Sequence, residues 1–112
     1  MSSRAAGKGS ASVELAGIEH RYKDTLLQEI TKHRKYPRQA RRKRSQGVVL
    51  VFFVLQRNGD VSELRVLEGS GIKSLDKAAL DAVRNVGQFP PFPAGVERAQ
   101  WEFEFPVHFK LQ

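Results

Sequence analysis

Apolar side chains recur every three or four positions from Leu15 through Ile18, Tyr22, Leu26 and Ile30, the spacing of one helical face. Ser12 is the expected N-cap, with Glu14 near the positive end of the helix dipole. The helix has to end by Tyr36, because the residue before Pro37 is pushed out of the α region. Pro37 suits the first position of a second short helical turn through Ala40 and Arg42. From Val48 to Leu55 the chain is apolar without a break and rich in β-branched and aromatic residues, which predicts a strand covered on both faces. Arg57-Asn58-Gly59-Asp60 then predicts a hairpin, since Asn and Gly both tolerate positive φ, and residues 61–68 return as a more polar strand.

Gly69-Ser70-Gly71 breaks that strand and a second helix follows. Ser74 is its expected cap, Leu75, Ala78, Ala79, Ala82, Val83 and Val86 its apolar stripe, and Gly87 its stop. Phe89-Pro90-Pro91-Phe92-Pro93 is a stiff crossing loop. In the last segment Trp101, Phe103, Phe105, Val107, Phe109 and Leu111 alternate with Glu102, Glu104, Pro106, His108 and Lys110, the pattern of a half-buried strand. Proline lacks the ladder donor, so Pro106 marks this strand as a sheet edge. The prediction is an α+β domain, helix-strand-strand-helix-strand, with a three-stranded antiparallel sheet and the helices packed on it. The strand that is apolar on both faces needs a second cover, from the N-terminal helix or from another copy. A monomer at low concentration is expected, with weak homodimerisation open to the exposed sheet edges.

At 112 residues one domain is expected, able to bury about two-thirds of its unfolded surface without staples. Residues 1–14, small and polar at the start, read as a flexible linker or expression remnant, and residues 15–112 as the domain. The absence of cysteine excludes disulfides and thiolate metal sites. No apolar run approaches the roughly 20 residues that span a bilayer, so a membrane anchor is expected upstream of this segment. The net charge of +7 is local: eight Lys or Arg residues and no acid lie between Lys32 and Arg44, while elsewhere the two signs nearly cancel.

The chemistry-bearing residues point away from catalysis. No serine sits in a Gly-x-Ser-x-Gly elbow, and His20, His33 and His108 form no metal-ligand pattern, so neither a catalytic site nor a metal or other cofactor is expected. Gly69-Ser70-Gly71 lacks the lysine of a phosphate loop and reads as a turn. The basic block could neutralise phosphates, yet Tyr36 is its one aromatic and the strands lack the exposed aromatic pairs of an RNA-binding sheet. A solvated helix surface, or a patch that seats an acidic partner, fits it better than nucleic acid.

Taken in order, several of these pieces resemble the periplasmic C-terminal domain of the TonB family. They are Tyr36-Pro37, then Ala40 and Gly47 leading a valine-rich strand; Asn58-Gly59-Asp60-Val61; Ser70-Gly71 with Leu75-Asp76-Lys77-Ala78-Ala79-Leu80-Asp81-Ala82-Val83; Phe89-Pro90; and Phe105 to Phe109. The likeness runs from about Leu26 to Leu111. Two departures stand out: Arg34 and Lys35 occupy positions where the family often has glutamines, and the tryptophan that often closes the second helix is replaced by Val86 and Gly87.

The resemblance implies a non-enzymatic periplasmic module, the soluble end of an inner-membrane-anchored protein. It would take the TonB box of an outer-membrane transporter as an added strand, the mode known as β-augmentation, and act on the transporter's plug. ExbB and ExbD, engaging the upstream anchor, would supply energy from the proton-motive force for uptake of nutrients such as siderophores, haem or vitamins. The residues implied are Glu104, Phe105, Pro106, Val107, His108 and Phe109 with Phe103 before them, flanked by Arg34, Lys35, Tyr36 and Pro37. A TolA-like envelope domain is the rival among binding modules, and a basic nucleic-acid-binding domain the rival outside them.

Overall fold

A computed structural model describes the backbone of residues 2–111 and the side chains of residues 13–111. The elements run α1 (Ser2–Lys32), α2 (Arg38–Arg42), β1 (Gly47–Gln56), β2 (Val61–Glu68), α3 (Lys73–Val86) and β3 (Gln100–Phe109). The strands form one antiparallel sheet in the order β2-β1-β3, so the expected fold class holds and β3 is an edge. Helix α1 continues through Ser12 rather than starting after it, so the expected cap is not used. The linker reading of residues 1–14 falls largely on side chains outside the described residues.

Both long helices lie on one face of the sheet. There Val49, Val51, Phe53 and Leu55 of β1 are wholly buried, against Tyr22, Leu26 and Ile30 of α1 and Leu75, Ala79, Ala82 and Val83 of α3. Tyr22 stacks on Trp101 with ring centroids 5.6 Å apart and planes 13° from parallel, which presses α1 onto β3. The opposite face of β1 has no helix, yet Phe52 and Val54 are only 9% and 5% exposed. The cover comes from within the sheet: the Arg65 guanidinium of β2 lies 4.4 Å from the centre of the Phe52 ring. A long cationic side chain thus shields an aromatic with its stem and planar head. Neither the N-terminal helix nor a second copy is needed there, which revises the sequence expectation.

Two local expectations also change. The β1–β2 connection closes through Gln56 N–H to Asp60 C=O (2.8 Å) and Gly59 N–H to Gln56 C=O (2.9 Å). Gly59 has φ +95°, while Asn58 is not among the residues of positive φ, so the glycine alone makes the left-handed turn. At α3 the start is secured by Ser70 and Asp76 instead of Ser74: the Asp76 carboxylate accepts from the Ser70 amide and hydroxyl, both at 2.8 Å. The Ser70 oxygen in turn accepts from Ile72 N–H at 3.1 Å. Gly87 stops the helix with φ +80°, as expected.

The proline-rich crossing is anchored at both sides. Phe89 N–H donates to Gly59 C=O (3.0 Å) and Phe92 N–H to Arg57 C=O (2.9 Å), so the crossing docks on the hairpin turn. Phe89 stacks on Phe53 at 5.6 Å and 12°, carrying the aromatic core across to β3.

Candidate functional site at the β3 edge

An edge strand offers a partner whichever backbone groups point away from its neighbour, and in an antiparallel ladder these alternate. β1 and β3 pair in unbroken register, Gly47 with Phe109 through Gln56 with Gln100. One residue beyond, Arg57 N–H donates to Ala99 C=O at 3.2 Å, so Ala99 faces β1. Trp101, Phe103, Phe105, Val107 and Phe109 share that phase. Glu102, Glu104, Pro106 and His108 therefore turn their backbone groups to the open edge. Independent support comes from Arg34, whose guanidinium donates to the His108 carbonyl from outside the sheet. The open edge presents four carbonyls, at 102, 104, 106 and 108, but no donor at Pro106. Pro106 opposes Leu50 in a pair that exchanges no hydrogen bonds, so the proline costs the β1–β3 ladder nothing.

Side chains along β3 split the same way. Trp101, Phe103, Val107 and Phe109 are buried in the core, Phe105 half-buried, and Glu102, Glu104, Pro106 and His108 exposed. The core residues set the strand's position, and what the open edge exposes is main-chain atoms. Beside the edge runs a small apolar cleft lined by Leu27, Ile30, Thr31 and Arg34 of the α1 end and by Pro106, Val107 and His108. Leu27 and Thr31 form a second helical stripe next to the core stripe of Leu26 and Ile30, and Arg34 follows just past the end of α1. Their spacing carried that signal in the sequence, but only the placement of α1 against β3 gives it a use.

Of the segment before α2, only part reaches this edge. Arg34 does, and its guanidinium lies 5.8 Å from the Phe109 ring centre. Tyr36 packs edge-on against Phe109 at 5.6 Å and 87°, and its hydroxyl donates to the Ser45 carbonyl, so it is chiefly a strut between the α1–α2 junction and the start of β1. Lys35 and Pro37 line a different cleft with His33, Ser74, Lys77, Ala78, Asp81 and Asn85, against α3. At the end of the β3 edge a basic pocket is lined by Arg34, Tyr36, Arg41, Arg44, Lys110 and Leu111. The sequence marked its cations as a block, but not Lys110 as their neighbour.

Among the described residues, no cluster of three or more His, Asp or Glu could hold a metal ion. Among the described residues no charged side chain is buried. The edge thus exposes unpaired main-chain groups, with an apolar cleft on one side and positive charge at one end.

The model of the Gram-negative bacterial TonB protein C-terminal family matches residues 32–111. The chain belongs to this family. It is 40% identical over 105 residues to Protein TonB of Pasteurella multocida, covering 94% of this chain and 38% of that protein. The chain thus spans well under half the length of this curated relative. By fold it matches the solution structure of the Helicobacter pylori TonB C-terminal domain, residues 179–285, with a TM-score of 0.71 and 23% identity over 82% of each chain. It also resembles TolAIII bound to a peptide derived from the N-terminus of TolB, with a TM-score of 0.58 and 25% identity, covering 75% of this chain and 70% of that one. No helix among the described residues is long and apolar enough to cross a membrane.

Proposed function

We propose that this domain captures the TonB box of outer-membrane transporters as a fourth strand added to β3. In this reading it works in the periplasm, without catalysis, at the end of a longer inner-membrane protein that ExbB and ExbD energise for nutrient uptake. The observation that carries it is the open β3 edge, with the backbone groups of Glu102, Glu104, Pro106 and His108 turned outward beside the cleft at Leu27 and Thr31. Main-chain pairing supplies affinity that tolerates sequence variation, and the cleft selects side chains on one face of the added strand. Each new backbone bond contributes about 0.5–1.5 kcal/mol net, and ordering the peptide opposes the sum, so the grip is weak and reversible. A strand held this way still loads several bonds together when it is pulled, which suits transmission of force.

A TolA-like role shares the architecture, and the TolAIII structure holds a peptide. Family membership favours the TonB reading over it and over nucleic-acid binding. The test is an NMR titration of the labelled chain with peptides from the N-terminal segments of candidate outer-membrane transporters. Shifts concentrated on Glu102 to Phe109 and at Arg34 are expected. Silence with every peptide, together with salt-sensitive shifts across Lys32 to Arg44 on adding a DNA oligomer, would sink the reading.

A further inference from the structure

We propose that the basic pocket at the end of β3 seats a carboxylate of the same partner segment, and that this carboxylate draws Arg34 off the His108 carbonyl. The inference rests on strand addition at β3 and adds a selectivity for acidic partners to it. Arg34, Arg41, Arg44 and Lys110 line one pocket, with no acidic side chain among the described residues that line it. Among the described residues none of the four is in an ion pair, whereas Lys32, Arg65, Arg84 and Arg98 each have one. Four cations gathered without a counter-charge repel one another and are relieved by an anion.

The pocket's construction explains how the charges are presented. Arg34 lies over the Phe109 ring and Arg41 over the Tyr36 ring, each at 5.8 Å, so the aromatics orient the guanidiniums while their N–H edges stay free. Arg44 follows α2 with φ +54°, the single non-glycine residue of positive φ among the described residues. Its left-handed turn is closed by Ser45 N–H to Ala40 C=O (2.8 Å) and Arg44 N–H to Arg41 C=O (3.1 Å), a helix ending that favours glycine. An arginine there places a fixed charge beside Arg41 where glycine would suit the backbone better.

Arg34 joins the pocket to the strand groove. It lines both, and its donation to His108 C=O occupies the last outward rung of β3. A neutral strand must compete with Arg34 for that rung. A strand with Asp or Glu next to the rung offers the guanidinium a carboxylate, a stronger and often two-pronged acceptor, and frees the carbonyl for pairing. Because the pocket adjoins the groove's end, the anion that fits is one tethered to the bound strand.

The test uses the labelled chain and a transporter-derived peptide that shifts β3, paired with a copy whose acidic residue is changed to its amide. At low salt the acidic peptide should bind about tenfold more tightly. Arg44→Gln, or Lys110→Gln should the first not fold, should erase that preference, and His108 should shift fully only with the acid. Equal affinity for both peptides, with β3 still shifting, overturns this inference and leaves strand addition standing. Absence of β3 shifts with every peptide overturns strand addition and this inference with it. An oligothymidine that shifts Arg41, Arg44 and Lys110 and displaces the peptide assigns the pocket to a polyanion instead, which also overturns the inference.

Discussion

The Tyr22 hydroxyl on α1 donates to the Pro90 carbonyl oxygen at 2.6 Å, joining the N-terminal helix to the proline-rich crossing. The ring that carries it stacks on Trp101 and meets Phe92 edge-on at 5.8 Å, so one side chain ties α1, the crossing and β3 together. Burial pushes the Tyr22 phenol from its ordinary value of 10.0 up to about 12. The folded state thus holds this proton more tightly than the unfolded chain. The associated stability is fully present below pH 10 and is lost as pH rises toward 12. Absorbance at 295 nm should show one tyrosine ionising late, and Tyr22→Phe should remove that phase. Tyr22→Phe should also destabilise the domain by about 1 kcal/mol in urea unfolding, since Pro90 loses its donor. A Tyr22 that ionises near pH 10 in the intact fold would contradict the packing described.

Glycines of positive φ should differ in their tolerance of alanine. A Cβ on Gly59 would stand 1.9 Å from the Phe89 carbonyl oxygen, whereas one on Gly71, at φ +85°, would meet nothing within 4 Å. Gly71→Ala should therefore lose only the backbone preference, about 1–2 kcal/mol. Gly59→Ala must in addition push the crossing off the hairpin, and should lose at least about 3 kcal/mol or fail to fold. Comparable losses for the two would mean that the hairpin and the crossing are not in register as described.

Much of the architecture was legible because local and tertiary demands agree. The two-residue alternation from Trp101 to Phe109 and the three-to-four spacing of Tyr22, Leu26 and Ile30 are each written by a single buried face. Pro106 announced the sheet edge for a backbone reason that needs no tertiary knowledge. What escaped depended on neighbours distant in sequence. The second apolar face of β1 predicts a cover from the N-terminal helix or another copy, yet Phe52 on that face is covered by Arg65 from the adjacent strand. Ser74 looked like a cap, while Asp76 instead folds back on Ser70. Of the candidate residues, Arg34 and the β3 backbone meet at the edge, but Lys35 and Pro37, adjacent to Arg34 and Tyr36 in sequence, turn to α3. Successive residues leaving a helix end point in different directions, and the sequence does not say which one finds the sheet.

Arg44→Gly separates stability from binding. Glycine relieves the left-handed backbone at the α2 end and gives back some entropy to the unfolded chain, leaving a net gain of about 0.5–1 kcal/mol. The same change removes a cation from the pocket, so an acidic peptide should bind more weakly while the urea midpoint rises. If stability and affinity fall together, the residue is a structural support and not a charge carrier.

Pro106→Val tests the phase of the edge itself. Valine restores an N–H at a position opposite Leu50 that faces away from β1. That amide should therefore exchange rapidly with solvent in the free domain and become protected when a peptide is bound. The peptide gains one backbone bond of about 0.5–1.5 kcal/mol, which tightens binding by roughly twofold to tenfold. Continuous donors at 102, 104, 106 and 108 also remove a guard against edge-to-edge pairing, so sedimentation should detect self-association at concentrations where the natural chain stays monomeric. An amide at position 106 that is protected without peptide would place it against β1. In that case Glu102, Glu104 and His108 would face inward too, and the open edge would belong to the opposite set of residues.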